Sequence, residues 1–241
     1  MQSSNSLRLF CATTLLCALL PLSGCSGQRA ANVPAPAVDA PRAAGPLQKV
    51  VLAGGCFWGV QAVFEHLHGV RRAVSGYAGG DAATANYGLV STGDTGHAES
   101  VEITFDPQQV TLGQILQVFF AVAHDPTLVD RQGPDIGSQY RSVIFYADDG
   151  QRQLASAYIS QLDQAKVFDR PIATRVDRLT DFYPAEDYHQ DFLLRNPDNP
   201  YIVANDLPKL RVFQRLLPAS YVETPATVGD RATTAPGAPG S

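Results

Sequence analysis

The sequence predicts an α+β protein, a two-layer ferredoxin-like split βαβ sandwich with an extra helix and strand and long loops. Two observations carry this. Short runs rich in β-branched residues alternate with stretches at helical spacing in the order strand, helix, strand, strand, helix, strand, and one more helix and strand follow. Outside residues 47–218 the composition turns to Ala, Pro, Thr and Gly, which leaves about 170 residues for a single core.

Residues 1–24 read as an export signal: Arg8 and the amino terminus supply positive charge, and Leu9 to Leu20 is apolar but short for a bilayer span. Residues 25–46 read as a tether, since few of their side chains are large enough to build a core, and residues 219–241 as a disordered tail. Between them, Gln48 to Ala53 is a strand. Phe57 to Leu67 is a helix with Val60, Val63, Phe64 and Leu67 on one face, and Val70 to Tyr77 is a second strand that ends in Gly79-Gly80. Ala98 to Phe105 alternates cleanly as a third. Thr111 caps a helix through Ala123 whose buried stripe is Leu112, Ile115, Leu116, Phe119 and Phe120. Ser142 to Tyr146 is a strand, Asp149 to Lys166 a surface helix carrying Leu154, Tyr158 and Leu162, and Ile172 to Leu179 a final strand.

The stretch Gly54-Gly55-Cys56-Phe57-Trp58-Gly59 sets Cys56 at a strand-to-helix junction. Glycines let the backbone turn sharply there, and the first amides of the helix favour a thiolate. Phe57 and Trp58 would wall a small apolar pocket. The alternative is a buried structural cysteine beside two core aromatics. Along Ala98 to Phe105, period two puts Glu99 on the face of Val101, Ile103 and Phe105. A carboxyl group facing an apolar layer keeps its proton and can serve as an acid. A solvated Glu99 ahead of the strand proper is the other reading.

The net charge of −5 comes without any basic run interleaved with aromatics, which speaks against nucleic acid. His66 and His68 face different ways on a helix and no cysteines are paired, so no metal site is expected.

Four stretches resemble, in order, the signature of the A-type peptide methionine sulfoxide reductases: Gly54 to Gly59, Gly93-Asp94-Thr95-Gly96-His97-Ala98-Glu99, Gly137-Ser138-Gln139-Tyr140-Arg141-Ser142, and Phe182 to Gln190. The resemblance runs from about Lys49 to about Leu217. It implies that Cys56 attacks the sulfur of methionine S-sulfoxide, peptide-bound or free, and becomes a sulfenic acid. It makes Glu99 the catalytic acid and gives Tyr87 and Tyr140 hydrogen bonds to the sulfoxide oxygen. Phe57 and Trp58 would receive the methyl group, and Asp135 would sit near the methionine backbone amide or order a water. Glu186 and His189 lie in a stretch at helical spacing and would support the site from the side without taking part in the chemistry; a solvated helix start is the alternative. Ile136 and Pro134 stand where the family often has His and Asn.

Of the four cysteines, Cys11 and Cys17 lie in the signal. Cys25 ends Leu22-Ser23-Gly24-Cys25, which resembles the lipobox of bacterial lipoproteins; an ordinary secretory signal is the alternative. A lipidated Cys25 leaves Cys56 as the one free thiol, and Pro200-Tyr201-Ile202 stands where a resolving Cys commonly follows a Tyr in the family. No cofactor is implied, and the reductant is expected to be an external thioredoxin-like or glutaredoxin-like protein or a small thiol. The expected protein is a monomer held to a membrane by lipid, in the bacterial cell envelope and facing the periplasm. Ser26 leans toward the outer membrane. Two other classes remain open: a lipid-anchored thiol peroxidase, which would want an Arg at Cys56 where Arg71 and Arg72 are nearest in sequence, and a non-catalytic module that grips methionine through Phe57 and Trp58.

Overall fold

The structure, a computed structural model, describes residues 32–229. The export signal and Cys25 lie outside these residues, as do residues 230–241.

Strand β1 (Gln48–Gly54) leads into α1 (Phe57–Glu65), which returns as β2 (Val70–Ala78). The short α2 (Tyr87–Val90) precedes β3 (Ala98–Phe105) and α3 (Leu112–Val118), whose end widens into a π-type turn over Phe119–Ala123. Two-residue strands β4 (Arg131–Gln132) and β5 (Asp135–Ile136) pair as a hairpin ahead of β6 (Ser142–Tyr146), α4 (Asp149–Gln164), β7 (Arg175–Arg178) and β8 (Phe182–Pro184). Then come α5 (Phe192–Arg195), a second π-type turn at Ile202–Asp206, and α6 (Leu207–Leu216).

The six strands of the main sheet run β7-β6-β1-β3-β2-β8. Its middle four, β6-β1-β3-β2, are all antiparallel neighbours, the arrangement expected of a split βαβ sandwich. β7 adds to one edge, parallel to β6 after the α4 crossover, and β8 adds antiparallel to β2 at the other. The alternation in β1 and β3 sends Val50, Leu52, Val101, Ile103 and Phe105 into the large core under the helices. Val51 and Ala53 face a smaller cluster with Val143 and Phe145 on the opposite side. Thr111 caps α3 as expected, in a capping box with Gln114.

Four expectations need correction. The residues around Asp187 to His189 form one tight turn rather than a helix, and β8 and α6 were not anticipated. β7 is shorter than the run from Ile172 to Leu179. The part of the tether described here packs on the domain. Val33 is buried, its carbonyl accepts from Gln117, and Tyr158 and Gln161 hold the carbonyls of Pro34 and Ala35. Asp39 accepts from Thr111 Oγ1 and the Gly113 N–H, which ties the strap to the start of α3. The tail up to residue 229 packs too: Tyr221 stacks on His66, and the N–H groups of Val222 and Ala226 reach the carbonyls of His66 and Glu65. Composition misled here because both straps are held in large part through backbone groups, which any sequence carries, and through single side chains such as Asp39 and Tyr221.

Candidate active site

Cys56 stands at the N-cap of α1, where β1 delivers it. Gly55 turns the chain at φ +93°, and a side chain there would come within 2.6 Å of Gln132 Cβ, so both the conformation and the space require glycine. The first amides of α1 are shared between two groups. The Trp58 N–H favours negative charge on the sulfur, and the Phe57 N–H donates to Glu99 Oε2 at 3.0 Å.

Cys56 is 9 % exposed. Burial pushes its thiol well above the usual range, and the charges of Glu99 and Asp206 push the same way against the Trp58 N–H and Lys209. The expected standing thiolate is therefore corrected to a thiol. One amide of a nine-residue helix does not outweigh the cost of an anion out of water.

Glu99 is 3 % exposed and shares its face with Val101, Ile103 and Phe105, as period two requires. Burial raises its carboxyl to about 8; the Phe57 N–H opposes this, and the charges of Asp135 and Asp206 add to it. At neutral pH it carries a proton beside a sulfur.

Tyr87 opens α2, which Asn86 caps by accepting from the Leu89 N–H. Tyr140 ends the turn over Ser138–Tyr140, held by Arg141, whose guanidinium reaches the carbonyls of Gly96, His97 and Ser138. Burial raises both phenols, and the charges of Glu99, Cys56 and Asp135 raise them further. Both therefore stay hydrogen-bond donors. Sequence-distant Cys56, Glu99 and Asp135 each act electrostatically on Tyr87 and Tyr140, which puts the five in one neighbourhood.

Trp58 is held on three sides. It stacks on Phe192 at 3.8 Å, meets Tyr201 edge-on, and donates its indole N–H to His189 Nδ1 at 3.0 Å. Phe57, at 1 % exposure, is a core ring packed on Tyr77 and His189, so the partly open aromatic wall is Trp58 alone of the two. Glu186 accepts from the Tyr77 hydroxyl at 2.8 Å and the Tyr87 N–H at 2.9 Å, fixing α2 to the end of β8. That is the supporting role expected of Glu186 and His189.

Three residues escaped the sequence reading. Tyr201 donates to Asp135 Oδ2 at 2.5 Å, and Asp206 and Lys209 form a buried pair close behind Cys56. Their one visible signal was the apolar spacing of Leu207, Leu210 and Phe213, which marks a helix with Pro208 in its first turn.

A thiol beside a protonated carboxyl in this α+β frame defines a cysteine-based oxidoreductase. The family model described as peptide methionine sulfoxide reductase matches residues 48–219, and the chain belongs to that family. It is an A-type enzyme that reduces methionine sulfoxide and needs no prosthetic cofactor. Among curated relatives, peptide methionine sulfoxide reductase MsrA 2 of Mesorhizobium japonicum is 57 % identical over 187 residues, 78 % of this chain and 96 % of that protein. MsrA 2 of Synechocystis is 56 % identical over 168 residues, 70 % of this chain and 78 % of that protein. Of solved structures, Mxr1 from Saccharomyces cerevisiae in reduced form is similar at a TM-score of 0.55 and 32 % identity, over 65 % of this chain and 91 % of that one. Methionine sulfoxide reductase A of Corynebacterium diphtheriae is similar at 0.55 and 36 %, over 65 % and 78 %. Among the described residues no group of three or more His, Cys, Asp or Glu could hold a metal ion.

Proposed function

We propose that Cys56 is the nucleophile and Glu99 the acid in reduction of methionine S-sulfoxide, peptide-bound or free, in oxidised envelope proteins. The observation that carries this is the buried Glu99 carboxyl, accepting from the Phe57 N–H next to the Cys56 thiol on an apolar strand face, where burial raises it to about 8. Sulfoxide oxygen leaves sulfur only when protonated, so a soft nucleophile and a proton donor must meet at one S–O bond. Glu99 gives its proton to the oxygen, the Cys56 sulfur attacks, and the proton lost from Cys56 replaces the one on Glu99. The sulfoxide sulfur gains two electrons and Cys56 loses two; oxygen and one proton end on Cys56 as a sulfenic acid, with no net proton taken up. Tyr87 and Tyr140 hold the oxygen as charge moves onto it. Trp58, backed by Phe57, receives the methyl group, and Asp135, fixed by Tyr201, takes the methionine backbone side.

Because no cysteine follows Cys56, an external thiol must resolve the sulfenic acid, forming a mixed disulfide and releasing water. A second thiol of the same thioredoxin-like or glutaredoxin-like partner then frees Cys56. Without reductant, the enzyme should release one methionine per chain and gain the mass of one oxygen, with a sulfenic-acid reagent trapping Cys56. Continued turnover without thiol would sink the assignment. A thiol peroxidase is not favoured: among the described residues the ionisable groups that act most on Cys56 are Glu99, Asp206 and Lys209, and none is a guanidinium.

The protein is further read as a monomeric lipoprotein of the bacterial envelope, anchored at Cys25 and facing the periplasm, on the support of Leu22-Ser23-Gly24-Cys25 and Ser26. Cys25→Ser should move it from the membrane to the soluble fraction. Membrane retention by that variant would refute the anchor.

A further inference from the structure

The second π-type turn ends at Asp206, which is 0 % exposed. Its Oδ1 accepts from Lys209 Nζ at 3.0 Å, and its Oδ2 has no hydrogen-bond donor among the described residues. The pair lies against α1: a methyl group on Gly59 would overlap Asp206 Oδ1 and come 2.7 Å from Lys209 Nζ. Gly59 is three residues after Cys56, hence on the same side of the helix one turn along. A buried carboxylate with an unused oxygen is costly, and nothing in the reaction above uses this one.

We propose that the Asp206–Lys209 pair is a positioning element for Cys56: the ammonium holds the buried carboxylate against Gly59, where its charge adds to burial in disfavouring a thiolate one helical turn away. The groups facing Cys56 can be weighed one by one. Glu99 on β3 is neutral at pH 7 because it holds its proton to about 8, and the phenols of Tyr87, Tyr140 and Tyr201 are raised and neutral as well. Asp135, half-buried, accepts from Tyr201 and is not among the largest charges acting on the sulfur. Within the ion pair the carboxylate lies nearer to Gly59 than the ammonium does, and its effect on the sulfur exceeds that of Lys209. The chain has reason to keep this thiol capped. A thiolate is the form that peroxides oxidise, and a thiol with no internal partner has no disulfide to shelter in.

The proposal rests on Cys56 being the reacting thiol, but its test needs no turnover, so its failure would leave that assignment to the single-turnover burst. The rate of Cys56 alkylation by iodoacetamide is measured against pH without substrate. In Asp206→Asn the midpoint should fall by about one pH unit and alkylation at pH 7 should quicken several-fold. In Lys209→Met the midpoint should rise. Both variants break the same ion pair, so a merely loosened site would move both in one direction, and opposite shifts are the signature of charge. Should either single variant fail to fold, Asp206→Leu combined with Lys209→Met fills the space with apolar groups, a replacement that buried pairs commonly tolerate. Its midpoint should also fall. An unmoved midpoint in the double variant, or a fall in both single variants, overturns the proposal. Hydrogen peroxide should oxidise Cys56 faster in Asp206→Asn than in the wild type, as followed by mass, and equal rates would count against it.

Discussion

Glu99 has one backbone N–H for a partner and an apolar strand face around it, and that imbalance sets its proton affinity. With a carboxyl raised to about 8, kcat/KM for methionine sulfoxide should hold through neutral pH and fall above about pH 8 as the acid is lost. Glu99→Gln should slow single-turnover reduction by roughly two to four powers of ten and remove that alkaline fall; a change confined to KM would make Glu99 a binding group. The same proton couples to stability. Below the unfolded value near 4.5 both states carry it, and between there and about 8 only the folded state does. Wild type should therefore lose stability relative to Glu99→Gln as pH rises through that window, by at most about 1.4 kcal/mol per pH unit, in urea titrations at several pH values. Cys56→Ser should abolish reduction outright, since a hydroxyl is a far weaker nucleophile. Glu99 was legible from period two along one strand. The protonation of Cys56 was not, because Asp206 and the burial that set it come from elements far along the chain.

Elements that read poorly from sequence are those whose identity depends on a neighbour. β8 is three residues long and becomes a strand only because β2 offers an edge with Gly76 opposite Pro184. A methyl group on Gly76 would overlap the Phe182 ring and the Tyr183 carbonyl. Gly76→Ala should thus push β8 away and loosen Glu186 from Tyr77 and Tyr87, raising KM for the sulfoxide and costing about 1–3 kcal/mol by calorimetry. Unchanged KM would show that Tyr87 does not depend on β8. By contrast β3 announced itself through alternation, β1 and β6 as short apolar runs, and α3 through Thr111 and an apolar stripe. α6 carried the same kind of stripe, but Pro208 and the polar residues before it masked its start.

At the scale of the molecule, the central four strands and the helices on one face followed from element order, whereas the two straps did not. A chain beginning at Leu47 would lose the cap that Asp39 gives α3 and the cover that Val33 gives the core. It should keep its secondary structure by circular dichroism yet melt several degrees lower, as loss of about 1–3 kcal/mol implies. An unaltered melting point would mean the strap adds nothing. The strap has a consequence in time as well. Its partners Gln117, Tyr158 and Gln161 lie 84, 124 and 126 residues later, so the growing polypeptide has made its strap long before it has made the surface that receives it. Such distant closure is among the slower steps of assembly. The first described residues of the chain thus settle only once α4 has been made and docked.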